Sequence, residues 1–554
     1  MVFAPRERYA LSTKDVLSWI FDDVKYDPDK PVYIDAANAE RSISSREARA
    51  IVRQLAAGFD AAGVKAGDCV CVHAFNDIYY PLIVLGIIAV GGVFTGTNPA
   101  YTEHELKHAL RTAAAKWLIS EPEILDPLHK AARSLDIADS RIWIFNPLPN
   151  QQVPRGWKSW KALLEQGEKD WIRFNDLDTA RGTIAMRLFS SGTTGLPKAV
   201  DVSHYNVTAQ HDLIWGRHVA NTSFEDIHLF PLPMFHAAIA FRAHTSTLKE
   251  GEKTYIMRRF DLEQFLANVE RYQVTCLGVV PTMALNIIKS PHSRKYSMKS
   301  VRWCMCGAAP LRPEPQAQLQ KLLREDCPVT QVWGMTESSC SATRFEYPEK
   351  DTTGSIGRLI PNLEMKLVDD DGNDLGEVYN VRGEMCLRGP TIVPGYYNNP
   401  SANAQSFDAD GFYHTGDIGY CDATTKLWYI VDRKKELIKV RGFQVAPPEI
   451  EGILLDHPDI VDCAVIGVQH LVDSGEPLEA PRAYVVRREG CTERDLDEEA
   501  VKNYIKPKLA RYKWLDGGVR FVKLIPRSAN GKILKNVLRD EARKESAGRR
   551  PSKL

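Results

Sequence analysis

The 554-residue sequence has no C-x-x-C pair, no apolar run long enough to span a bilayer, no excess of charge of either sign and no internal repeat. Each absence removes a class of protein. The eleven cysteines are scattered between Cys69 and Cys491. An odd number in a long chain argues against a disulfide scaffold or structural zinc, and for free thiols in a reducing compartment. The longest apolar stretch, residues 81–94, falls short of the roughly 20 residues that a membrane helix needs. The opening MVFAPRERYALS carries charge but no apolar core, so a secretory leader is not expected. Lys plus Arg and Asp plus Glu both number 71. No net basic field is available to hold a polyanion, and nucleic acid is not an expected partner.

What is present describes an ordinary globular protein, with 44% hydrophobic and 26% charged residues. The length exceeds what one core supports and predicts two or more domains. Ser552, Lys553 and Leu554 at the terminus match the receptor-read peroxisomal address. A peroxisomal enzyme, with the import receptor as a partner, is the expectation.

The chain is organised around FSSGTTGLPKAV, residues 189–200. Ser190, Ser191, Gly192, Thr193, Thr194 and Gly195 crowd backbone N–H groups and hydroxyls together just before Lys198, the chemistry of a phosphate cradle. The lysine stands three residues after Gly195, so this is not the GxxxxGK[ST] loop. Apolar residues from 184 to 189 predict a strand feeding the turn. The same composition also suits a surface hairpin without a ligand.

Elsewhere, helical and strand patterns alternate. Residues 12–22 and 44–63 read as helices, 68–75 as a strand and 81–94 as a buried helix. Thr102 with Glu105 three residues on forms a capping box for the next helix. The alternation predicts an α/β architecture. Residues 1–180 show no convergent chemistry and read as scaffold.

Pro231 and Pro233 break a strand and present Met234, Phe235 and His236 at a turn. GAAPL after residue 306 lets a flat ring lie against the backbone, or simply allows close strand–helix packing. In WGMTES an aromatic face (Trp333), a hydroxyl (Thr336) and a carboxylate (Glu337) stand within five residues at a strand end, where open α/β sheets collect ligands. A hard oxygen ligand such as Glu337 suits Mg²⁺ bound with phosphates. From residue 353 short strands alternate with Gly/Asp turns, a β-rich texture that contains HTGD. Asp417 there can accept two ribose hydroxyls or simply cap a turn. Lys532 follows Gly531 between a strand (520–525) and a charged helix, in SANGKI.

SSGTTGLPK, PLPMFH, GAAPL, WGMTE, YHTGD, VDRKKELIK and SANGKI together resemble the motif set of the adenylate-forming enzymes. That group contains acyl-CoA synthetases, 4-coumarate–CoA ligases, luciferases and peptide-synthetase adenylation domains, and the 4-coumarate ligase branch is the nearest. The resemblance implies a large N-terminal domain of stacked α/β sheets (1–432, with a β-rich part at 353–432) and a small mobile α+β domain (433–554). It implies an ATP-dependent acid–CoA ligase using Mg²⁺ and coenzyme A. Ser190 to Gly195 and Lys198 would hold phosphates. Gly307, Ala308, Ala309, Trp333, Gly334, Met335 and Thr336 would contact the nucleotide, Glu337 the metal, and Asp417 and Arg433 the ribose. Lys435 would sit at the pivot, Lys439 near the acyl-adenylate, and Arg441 and Gly442 at coenzyme A. His236 would border the carboxylate pocket, and Lys532 would steady the adenylate-forming transition state.

Four residues depart from the patterns that the resemblance implies: Ala199 for the usual glycine, read as stiffening a turn; Trp333 for the usual tyrosine; Val332 for a glycine common in hydroxycinnamate-specific members, read as narrowing or reshaping the acyl pocket; and Arg441 for the lysine of many plant ligases. The small walls Ala237, Ala238, Ile239 and Ala240 suit an aromatic or medium-chain aliphatic acid, and no fixed charge awaits an α-amino group. A luciferase-like oxidase of the adenylate and an inactive ATP-binding scaffold are the alternatives.

Overall fold

The computed structural model describes residues 2–190, 197–440, 443–471, 477–528 and 531–548. Ser191, Gly192, Thr193, Thr194, Gly195, Arg441, Gly442 and the terminal Ser552, Lys553 and Leu554 lie outside the described residues. The chain forms two compact units, Met1–Met365 with Cys386–His414, and Lys366–Met385 with Thr415–Leu554. The 432/433 boundary is a statement about which segment swings, and it belongs with the mechanism proposed below.

The first unit holds an eight-stranded sheet. Its lateral order is Gly395–Tyr396, Lys198–Ser203, Ile184–Ser190, Val93–Gly96, Cys69–His73, Ala115–Ser120, Ile142–Ile144 and Lys158–Ser159. The central strands run parallel. Parallel strands must be covered on both faces, and every residue of Cys69–His73 is buried. A seven-stranded sheet runs Val329–Gln331, Trp303–Cys306, Cys276–Val279, Ile227–Phe230, Lys253–Ile256, Pro31–Asp35 and Ser42–Ser44. It is parallel except for the last strand.

Local chemistry sets the helix ends. The capping box at Thr102 is formed: its hydroxyl accepts from Glu105 N, and the Glu105 carboxylate accepts from Thr102 N at 2.8 Å. Helix Ser45–Ala62 has a second box at Ser44 and stops at Gly63, whose φ of 95° only glycine adopts at low cost. The apolar run 81–94 is a correction. It is not one helix but helix Tyr80–Ala89 followed by strand Val93–Gly96. The break falls at Gly91, with φ 75°, a left-handed turn inside a sequence whose hydrophobicity never drops.

In the second unit, Tyr413–Cys421 pairs antiparallel with Trp428–Arg433. A three-stranded sheet of Ile460–Leu471, Pro477–Arg487 and Val519–Phe521 packs with helices Pro447–Leu455 and Glu498–Ile505 around Ile450, Leu454, Val465, Val485 and Val501. All eleven cysteines are free, and among the described residues no helix is long and apolar enough to cross a membrane.

Candidate active site

In the first unit, the strands on either side of the Gly/Ser/Thr loop pair as a hairpin, with Ser190 opposite Lys198. Ala199 corrects an expectation: it lies within the strand, opposite Phe189 and 1% exposed, so its methyl packs in the core and does not stiffen a turn. The neighbouring strand places Tyr396 opposite Val200, and the Lys198 ammonium lies 4.5 Å from the centre of the Tyr396 ring. On its other side the Tyr396 hydroxyl donates to Glu337 Oε1 at 2.9 Å and sits 3.1 Å from the Tyr413 hydroxyl. The lysine after the loop and the carboxylate of WGMTES, 139 residues apart in sequence, thus meet around one tyrosine. Burial, and then the Glu337 charge, push the Tyr396 phenol well above its usual range, so it remains a proton donor. The phenol holds one carboxylate oxygen, Oε1, in a fixed direction. A hard, oriented oxygen beside a lysine fits Mg²⁺ held with phosphates.

The residues before Glu337 are shaped by close approach. Gly334 pairs with Ser341, and a Cβ there would stand 1.7 Å from the Cys340 carbonyl oxygen. Only glycine fits. Trp333 is 8% exposed, so it offers little free ring surface. Thr336 opens the short turn Thr336–Ser338, and the Glu337 carbonyl accepts from Val393 N at 3.1 Å.

Strand Trp303–Cys306 ends at Gly307, where a Cβ would meet Val332 Cγ1 at 2.9 Å. The valine that replaces the family glycine therefore leans on the small turn. Ala308 holds φ 70° and is exposed, a strained position for a residue with a Cβ.

His236 caps helix Ala237–Phe241: its Nδ1 accepts from Ala238 N at 3.2 Å. In the neutral ring the proton is then on Nε2. The turn that presents it is clamped by residues that the sequence did not single out. Asn76 accepts from Met234 N at 2.9 Å and donates to the Leu232 and Met257 carbonyls. His244 bonds the Met234 carbonyl through Nε2 at 2.9 Å; burial lowers its pKa to about 3, so the ring is neutral and Nε2 carries the donated hydrogen. A Cβ at Gly96 would come 2.6 Å from Phe235 Cβ.

The second unit positions the other candidates. Asp417, 5% exposed, faces Arg433 across the strand pair with Oδ1 and Nε 3.1 Å apart. Lys434 pairs with Glu384 at 3.1 Å, and the same carboxylate accepts from Gly416 N. Lys435 and Lys439 are exposed, and Lys439 N donates to Glu479 Oε2 at 2.8 Å. Lys532 sits on a hairpin turn where Gly531 has φ 76°, with Ser528 N donating to the Lys532 carbonyl at 2.8 Å. Asp432 is buried beside Lys535, which pairs with Glu451 at 3.0 Å.

Two cavities of the first unit, about 130 and 460 Å³, are lined by none of the predicted site residues. The site is recognised by its donor and acceptor geometry, not by cavity size.

Comparison with known proteins bears on this arrangement. The model of the AMP-binding enzyme family matches residues 20–397, and that of the AMP-binding enzyme C-terminal domain matches 449–532. The chain belongs to the AMP-binding enzyme family. The phenylacetyl-CoA ligase epaB of Aspergillus niger is 52% identical over 98% of this chain and 99% of its own length. 4-Coumarate--CoA ligase 2 of Oryza sativa is 34% identical over 92% of this chain and 90% of its own. Among solved structures, ATP-bound MatB from Rhodopseudomonas palustris superimposes with a TM-score of 0.82 at 27% identity, over 95% of this chain and 98% of that one.

The expected family and the mixed α/β fold, with a large N-terminal and a smaller C-terminal domain, are therefore found. Within this AMP-binding enzyme the structure joins Lys198 to Glu337 through Tyr396, and Asp417 to Arg433. Each pair lies within one unit. Tyr396, like Asn76 and His244, was missed. Its only signal was an aromatic pair in GYYNNP, which composition alone does not distinguish from core.

Proposed function

We propose that this chain is an ATP-dependent carboxylate–CoA ligase that makes an acyl-adenylate and then an acyl-CoA thioester, with an aromatic acid as its substrate. The observation that carries the reading is the Lys198–Tyr396–Glu337 arrangement beside the Ser190 hairpin, which sets an ammonium and an oriented carboxylate where a triphosphate is handled. Full-length likeness to a protein named phenylacetyl-CoA ligase supports the aromatic acid.

In this mechanism the substrate carboxylate attacks the α-phosphorus of ATP and pyrophosphate leaves. Two anions repel, so fixed positive charge and donors must be focused there. Ser190 and Lys198, with the intervening loop residues, hold the outer phosphates, and Lys532 neutralises charge at the α-phosphate. Glu337 would hold magnesium, which would supply neutralising charge to the phosphates. Asp417 and Arg433 take the ribose hydroxyls, and the turn Gly307, Ala308 and Ala309 with Gly334, Met335 and Thr336 takes the base and sugar. His236 borders the acid and the entering thiol. For the second step the segment from Arg433 onward turns about Lys435, bringing Lys439, Arg441 and Gly442 to the adenylate and coenzyme A. Closing for one step and admitting a thiol for the next reconciles water exclusion with access. A coenzyme A-dependent thioester assay over benzoate, phenylacetate, cinnamates and fatty acids tests the reading. Ring acids should react best, and a panel without any product would reject it.

A further inference from the structure

Resting on the ligase reading, we propose that Trp215, braced by Arg242, is the end wall of the acyl slot, favours acids that end in an aromatic ring and excludes long-chain fatty acids. Gly278 locates the slot. It lies in strand Cys276–Val279 near the centre of the seven-stranded sheet. Its neighbours Leu277 and Val279 are buried in the core on one face, while Gly278 is exposed and a Cβ there would meet nothing within 4 Å. Side chains alternate across a sheet, so the other face is open at Gly278 and at Met305, its partner across the ladder.

Two residues toward the start of these strands the same face is closed. Cys276 pairs with Trp303 there, and both are buried. Arg242 reaches this face at His228, which pairs with Cys276. Ala238 is exposed, whereas Arg242, one turn further along, is 4% exposed and begins the π-helical turn Arg242–Ser246. Strand and helix thus each pass from an exposed residue to a buried one. From Gly307, at the carboxyl end where ligands of such sheets sit, to Trp303 is four residues, or about 13 Å. That length admits a ring with its spacer and excludes a long extended chain.

The closure is aromatic and rigid. Trp215 remains partly exposed; its ring meets Trp303 edge-on at 5.9 Å, and the Arg242 guanidinium lies over it at 3.9 Å. Arg242 cannot follow if the indole moves, because it is ion-paired to Glu252 and donates to His228 Nε2 at 2.8 Å. Behind Trp303, His218 stacks at 4.0 Å and pairs with Asp226 at 3.1 Å, and Asp226 accepts from the Cys276 thiol at 3.2 Å. The buried Arg242–Glu252 ion pair fixes the wall, and the edge-to-face preference of rings favours an aryl group against it.

The test compares kcat/KM for phenylacetate and for tetradecanoate in the wild-type enzyme and in Trp215→Leu, with KM for ATP measured alongside. The expected result is a phenylacetate-to-tetradecanoate ratio lowered by about tenfold or more, the scale of a reshaped apolar pocket, with KM for ATP unchanged. An unchanged ratio overturns the wall. Should Trp215→Leu fail to fold, Gly278→Val narrows the slot from the sheet side. It should raise KM for phenylacetate and spare ATP, and an unchanged KM for phenylacetate overturns the proposal. Wild-type enzyme that releases no pyrophosphate with any acid rejects the ligase reading itself, an outcome distinct from an active enzyme with unaltered preference.

Discussion

Replacing Tyr396 by phenylalanine removes one oxygen and leaves the ring under Lys198 in place. The lost group donates to Glu337 Oε1 at 2.9 Å in a site where Glu337 is 7% and Tyr396 6% exposed. Hydrogen bonds to a charged partner are worth about 1.5–3 kcal/mol, and a buried carboxylate that loses its donor carries its desolvation cost uncompensated. At 1.36 kcal/mol per factor of ten, this corresponds to roughly 10- to 150-fold. Part of the loss should appear as a lowered unfolding temperature. Part should appear as a higher Mg²⁺ concentration for half-maximal pyrophosphate release, because the carboxylate is no longer aimed. Tyr413, left without its 3.1 Å neighbour, does not reach Glu337 in the observed geometry and should not compensate. Thermal unfolding of the apo protein and a Mg²⁺ titration at saturating ATP read the two components separately. If Tyr396→Phe melts with wild type and shows the same Mg²⁺ dependence, the assignment of Tyr396 as the residue that positions Glu337 is wrong.

Other substitutions probe other links. Gly334→Ala drives a methyl to within 1.7 Å of the Cys340 carbonyl oxygen and should cost about 3 kcal/mol or more, the upper range of overpacking; a melting temperature equal to wild type would contradict the fit. Lys532→Ala should lose roughly 3–4 kcal/mol of transition-state stabilisation in adenylation while thioester formation from supplied acyl-adenylate survives, and equal losses in both half-reactions count against its role. Burial raises the pKa of Asp432 to about 7, so the folded state holds a proton that the unfolded chain has released above about pH 4. Stability from this residue therefore falls as pH rises, by roughly 1.4 kcal/mol between pH 6 and 8. Asp432→Asn should flatten that slope in denaturant titrations of the whole chain, and an equal slope in both proteins would refute the assignment.

Features carried by short-range chemistry were legible in the sequence. The capping box at Thr102, the strand before Ser190, the breaks at Pro231 and Pro233 and the small turn after Cys306 all lie where local rules put them, because each depends on residues a few positions apart. Long-range partnerships were not. Tyr396 serves Glu337 from 59 residues away, and Asn76 reaches the Met234 turn across 158. Nothing in the local pattern of either residue reveals the partner. The run 81–94 misled because hydrophobicity is nearly uniform through both its helix and its strand, and the pair Gly91 and Gly92 is the punctuation between them. Ala199 misled in the opposite way, since a small residue next to a loop was taken for part of it.

The most direct test of the account is a single turnover without coenzyme A. Purified enzyme mixed with ATP, Mg²⁺ and phenylacetate should release pyrophosphate, at most one equivalent per active site, and retain phenylacetyl-adenylate, and a chase of coenzyme A should convert that adenylate to thioester and AMP. Release of ADP instead of pyrophosphate, or an adenylate that coenzyme A does not discharge, would contradict it.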